Sequence, residues 1–351
     1  MSGEPYVCGF DSVGLGDRAR VGGKAASLGE LSRAGQRVPA GFVITTRAFV
    51  EFLAAVDPGA ELARLIEAIA PDDLDAIARS ATLAKQRISA MQLPPALQDL
   101  IGAAYRDLRA GEAVTVAVRS SATSEDSADA SFAGLQDTYL WLRDEATMLR
   151  AVRDCWASLY SVESVSYRRQ RALPEQHIAM AVVVQRMVDA RCAGVMFTRS
   201  PVTGDRSVIA IEGSWGLGSC IVSGEVTPDK FVVNKVTGQI VARTVSEKTT
   251  QHVPDQQAGG VRAEAVPAER QSQPCLTDDE IGALKRIAMT IERHYGVPQD
   301  IEWAIDSVSG ELCVLQSRPE TAWSNRSAPP VATPKPQAFD HVIGTLSGRR
   351  Q

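Results

Sequence analysis

The 351-residue sequence has no surplus of positive charge. Lys and Arg number 37 against 42 Asp and Glu, a formal net charge of −5. A sequence-independent nucleic-acid binder needs a basic face, so that class is disfavoured. A local basic cleft is still possible, because a phosphate site takes only a few residues. No C-x-x-C pair occurs among the six cysteines, Cys8, Cys155, Cys192, Cys220, Cys275 and Cys313. Neither a disulfide framework nor a zinc site is therefore expected, and reduced thiols are. The start, Met1-Ser2-Gly3-Glu4-Pro5, lacks a basic n-region and an apolar h-region, the marks of a secretion signal. No uncharged apolar run approaches the ~20 residues of a membrane span. These absences predict a soluble cytoplasmic protein that engages neither nucleic acid nor membrane.

What is present is ordinary for a soluble enzyme: 44% apolar and 23% charged residues, in a chain long enough for two packed lobes or one large domain with a tail. No internal repeat is visible. The first 110 or so residues read as mainly helical, with Glu61–Ile69 placing apolar residues at helical spacing. Pro94-Pro95 ends one helix and is placed to open the next. From Val114 the texture changes to short β-rich runs at Val114–Val118, Ala179–Gln185, Val208–Glu212 and Phe231–Asn234, with a helical stretch near Met148–Tyr160. A late helix is sharply marked. Thr277 and Glu280 form a capping box, Asp278 and Asp279 fill the first turn, and Gly296 with Pro298 ends it. After Trp323 a Ser-, Pro- and Ala-rich stretch reads as a linker or tail.

Four segments carry chemistry. In Gly22-Gly23-Lys24-Ala25-Ala26-Ser27-Leu28-Gly29-Glu30 two glycines allow close backbone approach. Lys24 then stands where a helix begins, which suits an anionic group. The spacing is not that of a Walker A loop, and a plain turn with a solvated lysine fits equally. In Val116-Ala117-Val118-Arg119-Ser120-Ser121-Ala122-Thr123-Ser124-Glu125-Asp126 a buried-looking strand delivers Arg119 beside hydroxyl donors, a phosphate clamp or else an ordinary helix cap. Ser131-Phe132-Ala133-Gly134 up to Thr138 reads as a flap over a ligand or as a hairpin loop. Finally, Asp300–Asp306 and Leu312–Pro319 alternate as two strands. If Asp306 pairs with Leu312, Glu302 falls opposite Gln316, their Cβ atoms roughly 5 Å apart, with Arg318 on the same face. A carboxylate, an amide oxygen and an arginine converging there suit Mg²⁺ and the phosphates it bridges, though the polar outer face of a hairpin has the same pattern.

Taken in order, these blocks resemble the N-terminal nucleotide-binding domain of phosphoenolpyruvate synthase, pyruvate phosphate dikinase and rifampicin phosphotransferase. The resemblance runs from about Phe10 to Glu320. It includes Pro39-Ala40-Gly41-Phe42, Gln185-Arg186-Met187-Val188, Gly194-Val195-Met196-Phe197-Thr198, Trp215-Gly216-Leu217-Gly218, Val226-Thr227-Pro228-Asp229 and Leu315-Gln316-Ser317-Arg318-Pro319. It implies an α+β, ATP-grasp-type, two-lobed nucleotide-binding fold: an N-terminal lobe over 1–185, a C-terminal lobe with a metal-binding hairpin over 186–322, and a tail over 323–351. Residue by residue, it implies that Lys24 and Arg119 bind phosphate, and that Gly134 and Thr138 belong to the flap. Gln185, Met187 and Val188 are similar to the hinge that receives adenine. Glu302 and Gln316 resemble the magnesium ligands, and Arg318 the clamp on the γ side.

One departure is Ser219, where the family commonly has glutamate. Another is the lack of the Gly- and Thr-rich context of a catalytic histidine around His177, His252, His294 or His341, all four of which read as incidental. The resemblance thus implies a phosphotransferase subunit or domain that uses ATP and Mg²⁺. It would pass a phosphoryl group to a histidine-bearing phosphocarrier domain or subunit, and that partner would serve a small-molecule acceptor. A separately encoded ATP-grasp subunit is similar to the arrangement in phenylphosphate synthase, with a phenol as acceptor. The alternatives are an excised nucleotide domain of a synthase or antibiotic phosphotransferase, and a non-catalytic ATP-sensing regulatory module.

Overall fold

Two antiparallel sheets, and one helix that touches both, position everything that follows. The computed structural model describes residues 4–123, 137–255, 257–321 and 323. Residues Met1–Glu320 form one compact unit and Thr321–Gln351 a second. All elements described here belong to the first.

The first sheet contains β1 (Val7–Gly9), β2 (Gly41–Ile44), β3 (Val116–Ala122), β4 (Thr138–Leu142) and β5 (Met180–Arg186), in the order β1-β2-β5-β3-β4. Its central strand β5 begins with an apolar, β-branched run, and Met180 to Gln185 are all buried. That is the composition of a strand covered on both faces. On one face Val43, Ala181 and Val183 meet Val21, Ala25 and Leu28 of α1 (Arg18–Arg33). The other face is covered by α2 (Thr46–Val56), α3 (Glu61–Glu67), α4 (Leu74–Ala90), α5 (Pro95–Arg109), α6 (Glu145–Ser158) and α7 (Val162–Gln170). Phe52 stacks on Trp156 there, ring centroids 5.0 Å apart.

The second sheet runs β13-β12-β6-β7-β8-β9. Its strands are β6 (Ala190–Phe197), β7 (Val208–Trp215), β8 (Asp229–Asn234), β9 (Ile240–Thr244), β12 (Gln299–Asp306) and β13 (Leu312–Pro319). A ribbon of β10 (Thr250–Pro254) and β11 (Val261–Ala265) stands apart from it, and α8 (Ser219–Val222) and α9 (Ala268–Gln271) are single turns. The long helix α10 (Asp278–Tyr295) packs on the sheet through Ile281, Leu284, Ala288 and Ile291, against Ile209, Ile211, Phe231 and Trp303. It has the expected ends. Thr277 Oγ1 accepts from Glu280 N–H, the Glu280 carboxylate accepts from Thr277 N–H, and Gly296 closes it at φ 72°. Asp229, from the Val226–Asp229 block, has a structural task. Fully buried, it accepts from Lys248 Nζ (2.7 Å) and from the backbone N–H groups of Ser246 and Cys275.

Helix α1 joins the two sheets. Besides its face on the first sheet, Ser27 Oγ donates to Ser317 O of β13 (2.6 Å), and Leu31 enters the core of the second sheet. Just beyond the helix, Arg37 O accepts from Val314 N–H.

The N-terminal region is mainly helical, as expected, with the short strands β1 and β2 running through it; each is too short to display a period. Two local expectations need correction. Strand β3 does not span Val114–Val118 but runs from Val116 to Ala122, since Arg119, Ser120, Ser121 and Ala122 still pair with Val183, Val182, Ala181 and Met180. In the last hairpin Ile305, not Asp306, pairs with Leu312. A bulge between Glu302 and Trp303 then skips one residue of β13 and restores Glu302 to a place opposite Gln316. The pairing of the two site residues is as expected, but it depends on a bulge that simple alternation does not contain.

Candidate functional site

The chain reaches the site first at α1. Gly22 interrupts that helix with φ 73° and ψ 172°, a conformation that favours glycine. A Cβ there would also stand 2.0 Å from Ser121 O. The Ser121 hydroxyl completes the joint, donating to Val21 O (2.8 Å) and accepting from Ala25 N–H (3.2 Å). The helix therefore restarts at Gly23, with Lys24 in its first turn, where exposed N–H groups and the helix dipole favour anions. Ser121, read from sequence as a phosphate donor, is fully buried and spends its hydroxyl on this joint.

A cavity of about 530 Å³ lies between the sheets. From α1 and the first sheet it receives Lys24, Arg119, Thr138 and Gln185; from the segment just after β5, Met187 and Val188; and from β12 and β13, Glu302, Gln316 and Arg318. Every anticipated site residue among the described ones lines this one space. Gly134 lies outside the described residues. Arg119 and Thr138 are register partners on β3 and β4, as Glu302 and Gln316 are on β12 and β13. Across the cavity Arg119 Nη1 stands 3.6 Å from Glu302 Oε2, while the buried Arg119 Nε has no hydrogen-bond partner. Arg318 is exposed, and its Nε donates to Asp300 Oδ2 at 3.3 Å. Burial pushes the Asp300 carboxyl above its usual range, with Arg318 pulling the other way. Sequence reasoning did not single out Asp300 as a support for that arginine.

At the hinge, Gln185 is buried and its side-chain amide donates to Pro39 O (3.3 Å). The Met187 N–H is taken by Thr115 O (2.9 Å). Among the described residues Val188 N–H meets no backbone acceptor. The walls beside the hinge are apolar: Leu140, Ala193, Leu217, Ala304 and Leu315 line the cavity along with Met187 and Val188. None of these five was expected from sequence, because a small or aliphatic residue that lines a cavity looks like any core residue.

Ser219 also lines the cavity. Its Oγ is 2.7 Å from His252 Nδ1, and His252 Nε2 is 3.1 Å from Glu225 Oε2. His252 is therefore tied to the cavity wall through Ser219. His294 Nε2 meets Glu30 Oε1 at 2.6 Å, whereas the side chain of His177 and all of His341 fall outside the described residues. All six cysteines are buried. Burial raises every thiol, Cys192 to about 12, so none is a ready nucleophile.

A family model described as "Pyruvate phosphate dikinase, AMP/ATP-binding domain" matches residues 18–338. The chain belongs to that family. The ATP-grasp-type fold implied by the resemblance goes with this membership. A probable phosphoenolpyruvate synthase from Methanothermobacter thermautotrophicus is 42% identical over 319 residues, 90% of this chain and 46% of the relative. A rifampicin phosphotransferase from Streptomyces sviceus is 43% identical over 321 residues, 91% of this chain and 36% of the relative. The phosphoenolpyruvate synthase of Escherichia coli is 40% identical over 335 residues, 91% of this chain and 42% of the relative. This dikinase-family chain thus spans less than half the length of these relatives. Among the described residues no helix is long and apolar enough to cross a membrane, and no group of three or more His, Cys, Asp or Glu is disposed to hold a metal.

Proposed function

We propose that this ATP-binding domain holds Mg-ATP in the cavity between a lobe of residues 1–185 and a lobe of residues 186–322. It would donate a phosphoryl group to a histidine on another chain or domain, which passes it to a small acceptor. One observation carries the reading. Cations and a hinge from one sheet converge with a carboxylate, an amide and an arginine from the other on a single cavity that is apolar at the hinge. That polarity suits a nucleotide, whose base is flat and apolar and whose triphosphate is densely charged.

Adenine would lie between Met187, Leu217, Ala304 and Leu315, with Val188 N–H as its donor. Lys24 and Arg119 would take phosphate oxygens, Arg119 with the planar donors that suit them. Arg318, steered by Asp300, would close on the terminal phosphate, and Thr138 would cover it. One carboxylate beside one amide oxygen cannot cage a cation alone. It does suit Mg²⁺, which completes its shell with waters and phosphate oxygens, so Glu302 and Gln316 would hold that ion. Bound there, the ion would supply charge neutralisation to the phosphates.

For the final acceptor we favour a phenol-type molecule, with this chain acting as a separate ATP-binding subunit. The second reading is a nucleotide domain belonging to a synthase or antibiotic phosphotransferase like its relatives, supported by its covering only part of their length. A purely ATP-sensing regulatory module fits less well, since sensing does not require a full set of phosphate and metal side chains.

Calorimetry tests the site. Binding of ATP should need a divalent ion. Lys24→Ala, Arg119→Ala and Arg318→Ala together should weaken it by at least about 100-fold, each charged hydrogen bond being worth roughly 1.5–3 kcal/mol. Undiminished affinity in the triple variant would refute the assignment.

A further inference from the structure

Among the described residues, the Ser219–His252–Glu225 chain is a built polar relay at the cavity that phosphate and metal binding leave without a task. Its hydrogen-bond polarity can be worked out atom by atom. A carboxylate only accepts, so the Glu225 contact at 3.1 Å places a proton on His252 Nε2. A hydrogen bond from Ser223 and one from His252 hold the Glu225 carboxyl below its usual range, which keeps it an acceptor. When the imidazole carries that one proton alone, Nδ1 is bare. In that neutral form the 2.7 Å contact is Ser219 O–H donating to Nδ1. The Ser219 hydroxyl has spent its only proton inside the wall. It presents lone pairs alone to the cavity it lines, and so behaves as an acceptor.

Its position narrows what it can accept from. Ser219 follows Leu217 and Gly218, and Leu217 belongs to the apolar wall beside the hinge. A Cβ on Gly218 would sit 3.6 Å from Ala193 Cβ in that same wall. The cationic side chains that line the cavity, Lys24, Arg119, Arg186 and Arg318, come from α1, β3, β5 and β13, on other elements. In a nucleotide, the group attached to the base that offers O–H donors is the sugar. The ring of His252 is held in place by the backbone, since His252 O accepts from Leu217 N–H (2.9 Å). The relay therefore moves with the wall it serves.

We infer that Ser219, oriented by His252 and Glu225, accepts a hydrogen bond from a ribose hydroxyl of the bound nucleotide and so selects ribonucleotides over deoxyribonucleotides. The inference rests on the nucleotide reading of the cavity. His252 acts as a positioning residue, fixing the direction of the Ser219 proton without touching the ligand.

The test compares the affinities of the chain for ATP, 2′-deoxy-ATP and 3′-deoxy-ATP, each with Mg²⁺, by calorimetry. One deoxy analogue should bind roughly threefold to tenfold more weakly than ATP, the ordinary net worth of one hydrogen bond. Ser219→Ala should close that gap by weakening ATP alone, leaving the same deoxy analogue unchanged. His252→Ala should also close it. His252→Asn, whose amide oxygen can stand near the place of Nδ1 and accept from Ser219, should restore it; a merely structural histidine would not produce that pattern. Equal affinity of the unaltered chain for all three nucleotides overturns the inference whatever the variants do. So does a gap that survives Ser219→Ala. Failure of the unaltered chain to bind any nucleotide would instead bring down the nucleotide reading itself.

Discussion

Arg119 and Glu302 stand 3.6 Å apart across the cavity, and each is proposed to serve a ligand that the other would repel or attract differently. The pair neutralises two charges that would otherwise face each other's lobes in a narrow space. A polyanion entering between them would compete for the guanidinium, and the freed carboxylate would need a cation. That exchange predicts how Glu302→Gln behaves. The amide keeps the size of the side chain and releases Arg119, so affinity for ATP should stay within a few-fold. Phosphoryl transfer to the histidine partner should fall on the order of 100-fold, because positioned charge matters most where charge develops in the transition state. Single-turnover transfer measured beside calorimetry separates the two effects, and a normal transfer rate would remove Glu302 from the metal site. At this scale the sequence was informative about charged residues. Lys24, Arg119, Glu302, Gln316 and Arg318 all line the cavity. The role of Ser121 was not legible, because a hydroxyl at a strand end looks the same whether it faces a ligand or caps a helix 96 residues away.

Among the elements, α1 has the most to hold together. Its break at Gly22 aims the restarted helix at the cavity, and its far half ties into β13 through Ser27 and Leu31. Gly22→Ala should therefore be costly twice over. That φ/ψ combination is essentially reserved for glycine and costs an L-residue roughly 1–3 kcal/mol, and the new methyl meets the Ser121 carbonyl at 2.0 Å. Relieving that clash must shift α1 relative to β3, moving Lys24 with it. Thermal unfolding should show a destabilisation of at least about 2 kcal/mol, and the surviving folded protein should bind ATP more weakly. Unchanged stability and affinity would mean that the joint is pliable and does not aim Lys24. Helix α10 was legible from sequence to its capping residues, since its cap, dipole and apolar stripe are all local signals. The bulge in β12 was not, because nothing in Glu302-Trp303 distinguishes a regular strand from one that skips a partner.

At the scale of the whole molecule, the two sheets supply complementary halves of one cavity, and α1 keeps them together. A donor site of this kind does not require the acceptor histidine to be on the same chain. Of the histidines with described side chains, His252 and His294 are committed to Glu225 and Glu30, whereas a phosphocarrier needs a free, neutral imidazole. Incubation with β-labelled ATP should therefore leave this chain without an acid-labile label, and a partner bearing the histidine domain should acquire one as AMP is released. Stoichiometric acid-labile labelling of this chain alone, abolished by replacing one of its histidines, would overturn the two-component reading.

The sequence by itself determined the family, the α+β character and the identity of the charged groups, because these depend on residue types and on spacings of a few residues. Only the tertiary structure decided which apolar side chains wall the hinge, how Glu302 comes opposite Gln316, and that Ser219 meets His252. Those outcomes depend on how strands from distant parts of the chain fall into register. A one-residue skip at a bulge, or the approach of β10 to the Gly216–Ser219 turn, leaves no local trace in the order of residues. Each follows from packing two sheets around shared cores, where the whole chain selects the register and no single segment can announce it.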